Sequence, residues 1–280
     1  MTSVSRPVQI ALQEDMPDGD ITTDSLQLKA RRGLARVVAK EDLVLSGTSI
    51  FSETFRAVDP NVAIEWQFTD GTFVLKGQTV CLLRGPVHAI LKGERVALNF
   101  LGHLSGIASL TRCYAEQVQH TKTKILDTRK TLPGLRDLEK AAVVHGGGCN
   151  HRMNLSDGVL IKENHISLAG GLKAAIDRVR DETNLPIEIE VRNLTEVREA
   201  VELKVWRILL DNMSNDEMRE ALHHVHAGIE TEASGNMTLG RVREVAELGV
   251  DYISVGAITH SAPCADLSLL LESVDAPRVD

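Results

Sequence analysis

The fold is decided by the stretch KILDTRKTLPGLRDLEKAAVVHGGGCNHRMNLSDGVLIKENHI, residues 124–166. It contains two short apolar segments, 124–127 and 159–161, and charged side chains follow each of them directly. Parallel α/β proteins place their ligand sites at this position, just past the buried strands. The stretch also concentrates Lys and Arg residues, whose charges suit carboxylates and phosphates. It therefore predicts a site for a small, multiply anionic ligand.

The same pattern continues outward from this stretch to the end of the chain. Short apolar segments alternate with segments of helical periodicity, which predicts a parallel sheet with crossover helices. The predicted strands are 124–127, 159–161, 187–191, 207–210, 229–233 and 252–255, and the predicted helices are 134–145, 167–181, 194–203, 214–226 and 238–248. Because eight strands close a full barrel, six indicate an open, incomplete (β/α) barrel. A flatter doubly wound sheet is the alternative.

The first ninety residues follow a different pattern, in which strands dominate. Turn signals at Asp70-Gly71 and Lys76-Gly77 predict hairpins that join the strands 62–68, 73–75 and 80–83. This pattern is typical of an α+β domain with an antiparallel sheet. From Glu94 to about His120, apolar residues recur at helical spacing, so a long helix should connect this region to the strand–helix repeat.

Composition excludes several classes of protein. The net charge of −8 over 280 residues argues against a general nucleic-acid binder or a binder of anionic membranes, and 3% aromatic residues argue against base-stacking platforms. No apolar run approaches the 18 residues of a membrane span. The four cysteines form no CxxC pair and the N-terminus lacks the apolar core of a signal peptide, so we expect a cytoplasmic protein.

Carboxylates occur inside or at the ends of two predicted neighbouring strands. Glu188 and Glu190 flank Ile189, so both side chains should point to one face, and Asp211 ends the following strand. One interpretation is a buried ion-pair network, because a charge within a parallel strand needs a partner. The other is that Glu190 and Asp211 bind Mg²⁺ or a sugar hydroxyl. The strand-end position of both residues favours the second interpretation for them.

Small residues follow the last two predicted strands. Ser234-Gly235-Asn236 and Gly256-Ala257 would let backbone N–H groups close on a phosphate, a recurrent feature of (β/α) barrels. Either glycine alone would be a plain turn, and their paired occurrence favours a phosphate site. The Gly146-Gly147-Gly148 run follows a helix and lacks the dinucleotide fingerprint. Together these features suit a phosphorylated sugar that reacts with an acidic small molecule.

Nine sequence blocks carry a resemblance to a known family. They are EDMPDGDITT (14–23), GERVALNFLGHLSGIAS (93–109), DTRKTLPGLR (127–136), GGGCNHR (146–152), LSDGVLIKENHI (155–166), IEIEV (187–191), ILLDNMS (208–214), ASGNMTL (233–239) and GVDYISVGAITHSAPCADLSL (249–269). In these blocks, which span nearly the whole chain, the sequence resembles the quinolinate phosphoribosyltransferases, the carboxylating nicotinate-nucleotide pyrophosphorylases of NAD synthesis.

The resemblance implies an architecture and a reaction. The expected domains are an N-terminal α/β sandwich, residues 1–112 with the returning tail 267–280, and an incomplete (β/α) barrel, residues 113–266. Family members are homodimers or larger assemblies such as hexamers, with active sites shared across the subunit interface. The implied reaction joins quinolinate and phosphoribosyl pyrophosphate, giving nicotinate mononucleotide, pyrophosphate and CO₂, with Mg²⁺ as the cofactor.

The resemblance also implies roles for individual residues. Arg129, His151 and Arg152 would bind the quinolinate carboxylates, and Arg95 would reach the neighbouring subunit's site for the same purpose. Catalytic roles would fall to Lys130, Lys162, Glu190 and Asp211, of which Lys130 and Lys162 contact substrate and Glu190 and Asp211 hold ribose hydroxyls and Mg²⁺. The 5′-phosphate would lie against Ser234, Gly235, Gly256 and His260.

Two departures and one rival interpretation accompany the resemblance. Met153-Asn154 stands where the family usually has Leu-Gly, and we expect the turn to survive because Asn tolerates positive φ. Arg192 follows the Glu190 strand where an acidic or neutral residue is common. The rival is a molybdenum-transport-associated homologue with the same fold and a different acceptor, which lacks the intact NHR and LIKxNH segments present here.

Overall fold

The computed structural model describes residues 4–274. The chain forms two compact units, whose described parts are 4–110, 132–147 and 261–274 for the first and 111–131 and 148–260 for the second. The predicted domain limits, 1–112 with 267–280 and 113–266, stay a prediction, because compact grouping of residues does not define which segments fold independently.

The N-terminal elements are short helices and strands followed by one long helix. In order they are α1 (Arg6–Asp15), α2 (Ile21–Ser25), β1 (Arg32–Ala39), β2 (Leu43–Val44), α3 (Thr48–Val58), β3 (Ala63–Trp66), β4 (Phe73–Val74), β5 (Thr79–Pro86) and α4 (Val87–Val118). The long helix predicted from Glu94 is therefore present, and it begins earlier, at Val87.

Strands and helices then alternate, as the sequence predicts. The elements are β6 (Lys124–Leu126), α5 (Arg136–His145), β7 (Val159–Ile161), α6 (Glu163–Ala169), α7 (Leu172–Glu182), β8 (Ile187–Val191), α8 (Leu194–Glu202), β9 (Arg207–Asp211), α9 (Asn215–His224), β10 (Glu230–Ser234), α10 (Leu239–Glu247), β11 (Tyr252–Ser254), α11 (Ala257–His260) and β12 (Leu267–Val274). Among all the described helices, none is long and apolar enough to cross a membrane.

The first unit is built on an antiparallel sheet in the order β12-β1-β5-β3. Its core is apolar, because β1 and β5 bury Val37 and Leu83 completely against the helices of the same unit. Phe51 and Phe55 of α3 are fully buried there, and the ring of Trp66 stands edge-on to Phe51 with centroids 5.2 Å apart. The predicted antiparallel α+β architecture is confirmed.

The two predicted hairpins of this unit are wrong. Strand β4 pairs with β2 in a separate two-stranded sheet, whereas β5 pairs with β1 and β3. The reason is that the Asp70 carboxylate accepts hydrogen bonds from the backbone N–H and the hydroxyl of Thr48, and Gly71 N–H donates to the carbonyl of Leu45. The turn is thereby held at the start of α3 instead of joining neighbouring strands.

The second unit is built on a parallel six-stranded sheet in the order β6-β11-β10-β9-β8-β7. Ile189, Ile208, Leu210, Ala233 and Ile253 are fully buried in its strands, whereas the alternate positions Glu188 and Glu232 are buried charges that need partners. β6 and β7 are the edges, so the sheet is an open, incomplete (β/α) barrel, which confirms the predicted fold class.

Capping residues and glycines explain several helix boundaries in this unit. Asn193 caps α8 by accepting from the backbone N–H of Glu196, and Ser214 and Glu217 form a capping box at α9. The helix predicted over 167–181 is wrong as a single element, because Gly170 and Gly171 adopt positive φ (87° and 135°) and separate α6 from α7.

Candidate active site

A cavity of about 850 Å³ opens at the carboxyl ends of the parallel strands, and all six strands or the loops beside them contribute to it. Every residue that lines it belongs to the second unit. The charged residues and glycines of the lining are Arg129 and Lys130 after β6, His151 and Arg152 before β7, Lys162 after β7, Glu190 in β8, Asp211 in β9, Glu232 in β10, and Gly235, Gly256 and His260 in the following segments. The predicted gathering of strand-end groups is therefore observed for these residues.

Two guanidinium groups share one part of the cavity lining. Burial lowers the pKa of Arg152, and the charge of Arg129 lowers it further, so the two cations lie close enough to repel each other. One Nη of Arg152 donates to the carbonyl of Gly158 at 2.8 Å, which fixes the direction of the side chain. An anion bound between the two groups would remove their repulsion, and a planar carboxylate matches the guanidinium fork.

A lysine and a glutamate face each other at the ends of two neighbouring strands. The ammonium of Lys162 forms an ion pair with the carboxylate of Glu190, and both residues line the cavity. The backbone N–H of Lys162 donates to Nδ1 of His165 at 3.0 Å, which holds Lys162 at the junction of β7 and α6. The cavity thus presents a charged pair, each member of which a polar substrate could engage.

A buried network lies beneath His151. Its Nε2 is 3.1 Å from Glu188 and 3.7 Å from Glu232, and Glu232 also accepts from Arg207 at 3.1 Å. Burial and the charge of Glu188 raise the pKa of Glu232 to about 7. Burial alone would lower the pKa of His151, but its hydrogen bond to Glu188 and the charge of Glu232 outweigh burial and raise it. The first interpretation of strand carboxylates therefore holds for Glu188, which is part of an ion-pair network.

Arg207 is the outer cation of this network. It also donates to Glu230, and its guanidinium lies between two aromatic rings, 4.2 Å from the centroid of Trp206 and 4.0 Å from that of Tyr252. Burial would lower the pKa of Arg207, but the surrounding glutamates raise it. The two strand carboxylates Glu188 and Glu232 thus face the ring of His151 and the guanidinium of Arg207, which offset part of their charge.

The predicted Mg²⁺ ligands, Glu190 and Asp211, both line the cavity on adjacent strands. One Asp211 oxygen accepts from the side-chain amide of Asn212 at 2.8 Å. Mg²⁺ binds through one or two carboxylates together with water and substrate phosphates, and these two residues fit that donor set. A second cluster of possible metal ligands consists of His151, Glu188 and Glu232, whose ligand atoms lie within 4.8 Å of one another. In this cluster Glu232 already forms an ion pair with Arg207.

The part of the cavity lining beside Asp211 includes backbone in left-handed conformations. Asn212, Gly235 and Asn236 have φ of 55°, 93° and 50°, and all three line the cavity. A Cβ at Gly235 would come within 2.1 Å of the Asn212 Oδ1, so this position requires glycine. A Cβ at Gly256 would meet the side chains of Lys130 and His260 at 3.1 and 3.2 Å. The two glycines therefore let these loops pack closely against Asn212, Lys130 and His260, and the predicted phosphate contact at them stays a prediction.

Sequence reasoning located most of this site and missed some of its members. Arg95 lies in α4 and belongs to the first unit, so its contact with quinolinate stays a prediction. Glu232 and Asn212 line the cavity but were not predicted as site residues. The two glutamates of β10, in the segment ETEAS, could have indicated Glu232, because an acidic residue within a parallel strand requires a partner.

The two departures from the family pattern are accommodated locally. Asn154 accepts a hydrogen bond from the backbone N–H of Ser156 at 2.8 Å, and Asp157 accepts from that of Met153 at 2.7 Å. These side-chain acceptors stabilise the turn, which is retained as expected. The reason we expected, a positive φ at Asn154, is wrong, because Asn154 is not among the described residues with positive φ. Arg192 pairs with Glu163 at 2.7 Å, which offsets its additional charge.

Comparison with known proteins identifies the family. Residues 20–105 match the model of the quinolinate phosphoribosyl transferase N-terminal domain, and residues 107–270 match that of the C-terminal domain. The chain is 41% identical to the decarboxylating quinolinate phosphoribosyltransferase 1b of Nicotiana tabacum over 95% of this chain and 81% of that protein. It is also 41% identical to a probable carboxylating nicotinate-nucleotide pyrophosphorylase of Synechocystis, covering 92% and 89%.

Solved structures give the same answer. The nicotinate-nucleotide pyrophosphorylase of Ehrlichia chaffeensis superposes with a TM-score of 0.93 at 42% identity, covering 97% of this chain and all of that one (100%). The enzyme of the same name from Francisella tularensis superposes with a TM-score of 0.93 at 38% identity, covering 96% of each chain. Both halves of the sequence and the whole fold therefore point to one conclusion: the chain belongs to the quinolinate phosphoribosyltransferase family.

Proposed function

We propose that the protein is a carboxylating nicotinate-nucleotide diphosphorylase, a pentosyltransferase of NAD biosynthesis. It transfers the phosphoribosyl group of phosphoribosyl pyrophosphate to quinolinate and releases pyrophosphate and CO₂. The observation that carries this proposal is the single cavity in which the guanidinium pair Arg129 and Arg152, the carboxylates Glu190 and Asp211, and the glycine-containing loop at Gly235 occur together. A dicarboxylate and a phosphorylated sugar need these groups side by side.

The cationic side chains bind quinolinate. Arg129 and Arg152 bind the two carboxylates, and Arg95 of a neighbouring subunit adds a third guanidinium. His151 is the remaining candidate for this role. Its Nε2 lies against Glu188 and its Nδ1 accepts from the backbone N–H of Arg152 at 2.7 Å, so a direct contact between its ring and a carboxylate requires exchange of one of these bonds.

The carboxylates and the small residues bind phosphoribosyl pyrophosphate. Glu190 and Asp211 bind the ribose hydroxyls, and the 5′-phosphate lies against Ser234, Gly235, Gly256 and His260. Lys130 and Lys162 contact the substrates between the two halves. Glu190 and Asp211 would also hold Mg²⁺, which neutralises charge on the departing pyrophosphate when it is bound.

Positioning and electrostatics carry the chemistry. The pyridine nitrogen attacks the anomeric carbon as the bond to pyrophosphate breaks, and the positive charge that develops on the ribose is stabilised by Glu190 and Asp211. When the adjacent carboxylate leaves as CO₂, the electron pair of the broken C–C bond stays on the ring carbon. The positive charge of the quaternised nitrogen stabilises this carbanion until a proton replaces the CO₂. No protein nucleophile takes part, and the cavity lining contains no Cys.

The assembly and the compartment complete the proposal. The protein acts as a homodimer, or as a hexamer built from dimers, with each active site shared between subunits. Support comes from apolar side chains on the described surface of the first unit: Ile10, Ile21 and Leu26 are 55%, 85% and 60% exposed. A cytoplasmic location is supported by the four cysteines, all of which are thiols.

The deciding experiment is a stopped assay of the purified protein with quinolinate, phosphoribosyl pyrophosphate and Mg²⁺, in which CO₂ and the mononucleotide are both measured. Turnover should require all three components, and Arg129→Ala should abolish it. A folded protein that forms no product from quinolinate but accepts another acceptor would refute the proposal in favour of the molybdenum-transport-associated branch.

A further inference from the structure

Arg241 occupies a position that is electrostatically unfavourable for its charge. It lies in the first turn of α10, whose N-cap Thr238 makes no side-chain capping bond and whose first turn contains no acidic residue. A cation in the first turn of a helix opposes the helix dipole, which favours anions there. The helix therefore loses stability by placing Arg241 here, unless the guanidinium makes contacts that offset the loss.

Those contacts are with two different loops. One Nη of Arg241 donates to the carbonyl of Gly235 at 3.0 Å, and the other Nη donates to the carbonyl of Met213 at 2.7 Å. Gly235 follows β10 and Met213 follows β9, so one half-buried guanidinium joins the loops of two adjacent strands. The two Nη atoms of Arg are separate donors in a rigid fork and suit this task, whereas all the donors of a Lys lie on one nitrogen at the end of a flexible stem.

The loops that Arg241 joins are conformationally demanding. Asn212 and Asn236 adopt left-handed backbone conformations, and Gly235 between them leaves no space for a side chain. Such conformations persist only where surrounding contacts determine them fully. The backbone N–H of Asn212 donates to the carbonyl of Ser234 at 3.0 Å, and the fork of Arg241 adds two further links from outside the cavity.

We propose that Arg241 is a positioning residue for the phosphoribosyl half of the active site. This inference rests on the proposed function. Arg241 is not among the described residues that line the cavity, so it acts through the carbonyls of Gly235 and Met213. It fixes the backbone around Ser234 and Gly235 on one side and around Asp211 on the other, and leaves the quinolinate half unaffected.

The test uses two substitutions and a matched control. Arg241→Lys keeps the charge and removes the fork, and Arg241→Gln removes both. Arg243→Gln is the control, because Arg243 lies on the same helix, is 61% exposed and forms an ion pair with Glu247 at the helix surface. For each variant, the KM values of phosphoribosyl pyrophosphate and quinolinate, the melting temperature, and the calorimetric Kd of ribose 5-phosphate are measured.

Loss of one charge-assisted link should raise the KM of phosphoribosyl pyrophosphate and the Kd of ribose 5-phosphate roughly tenfold in Arg241→Lys, and at least as much in Arg241→Gln. The KM of quinolinate should change less than about twofold. Arg243→Gln should match the wild type in all these values.

Equal changes in the KM of both substrates, unchanged values in both variants, or unfolding of both variants would overturn the proposal and assign Arg241 to general stability or to the surface. The ribose 5-phosphate measurement does not depend on turnover. Wild-type protein that binds ribose 5-phosphate but does not convert quinolinate would refute the proposed function, while the comparison of Arg241 with Arg243 would still decide the role of Arg241.

Discussion

Lys162 and Glu190 form an ion pair one residue beyond the point where β7 and β8 are in register at Ile161 and Ile189. Both side chains are therefore placed by the strands themselves, and loop conformation has little influence on them. The ammonium is half exposed to the cavity, whereas the carboxylate is largely buried. A substrate hydroxyl that approaches Glu190 meets a carboxylate whose direction is already set by Lys162, which is the kind of preorganisation that catalysis by electrostatics requires.

Replacing Glu190 with Gln should lower kcat far more than it weakens quinolinate binding. The amide keeps the shape of the side chain but loses the negative charge that opposes the positive charge developing on the ribose. We expect kcat to fall at least about a hundredfold, with the KM of quinolinate within about threefold of wild type. Steady-state kinetics with each substrate varied in turn checks this. An unchanged kcat would refute the role of Glu190.

Replacing Gly235 with Ala should destabilise the second unit and remove activity. The position combines a φ of 93° with a Cβ contact of 2.1 Å to Asn212, so both backbone strain and overlap oppose a side chain. We expect a loss of about 1–3 kcal/mol in the free energy of unfolding, measured by denaturant titration.

The matched control for Gly235 is Gly240, five residues further along. It lies in α10, and a Cβ there would meet no atom within 4 Å. Gly240→Ala should therefore stabilise the protein by roughly 0.5–1 kcal/mol and leave kcat unchanged. A destabilised Gly240→Ala would show that substitution anywhere near this loop is harmful, and would remove the specific argument for Gly235.

Replacing Glu232 with Gln should change how stability depends on pH. Burial raises the pKa of this carboxyl to about 7 from its ordinary value of 4.5, so the folded protein binds more protons than the unfolded chain in this interval. The contribution of Glu232 to stability is therefore present below about pH 4.5 and is lost as the pH rises to about 7, by up to about 3 kcal/mol. Glu232→Gln cannot ionise and should flatten this decline.

Chemical denaturation at pH 5, 6, 7 and 8 measures the effect, with Glu230→Gln as the control. Glu230 lies on the same strand and binds the outer side of Arg207, but its side chain is partly exposed. The pH profile of Glu230→Gln should follow the wild type. Parallel profiles for wild type and Glu232→Gln would mean that this buried carboxyl does not titrate in that range.

Complementation between inactive variants should reveal whether the active site is shared. Arg95→Ala and Arg129→Ala should each be inactive. If Arg95 serves the neighbouring subunit, a hybrid dimer of the two regains one intact site, so random mixing should restore about a quarter of wild-type activity. The measurement is activity after co-refolding, compared with each variant refolded alone. Absence of recovery, with hybrid dimers demonstrated, would contradict a shared site.

The sequence predicts the local features of this protein well and the long-range ones poorly. The positions of the six parallel strands follow to within a residue from short segments rich in apolar residues, and the positions of Arg129, Lys162 and Asp211 follow from their place just after or at the end of such segments. These are properties of neighbouring residues, so one sequence contains them.

Pairing across the sheet is a different matter. Nothing local indicates that Glu232 meets His151 and Arg207, because strand order and register are set by the packing of the whole unit. The failed hairpins have the same origin: Asp70-Gly71 is a good turn sequence, but the hydrogen bonds of Asp70 to Thr48 commit it elsewhere. Arg241 was missed for a related reason, since its use depends on carbonyls of two loops outside its helix.

The strand order of the two sheets has a consequence for how the protein is made. β6, which leads directly into Arg129 and Lys130, pairs with β11 at Lys124 and Tyr252, and β1 pairs with β12, the last strand described. During synthesis, β1 and β6 therefore cannot form these pairs until β12 and β11 have left the ribosome. Closing such long loops is also slow. The cationic part of the cavity is completed only when β11 has been synthesised. Nascent chains that end before β11 should bind neither substrate. In such chains the edge of β6 that later pairs with β11 is exposed, which is a risk for aggregation.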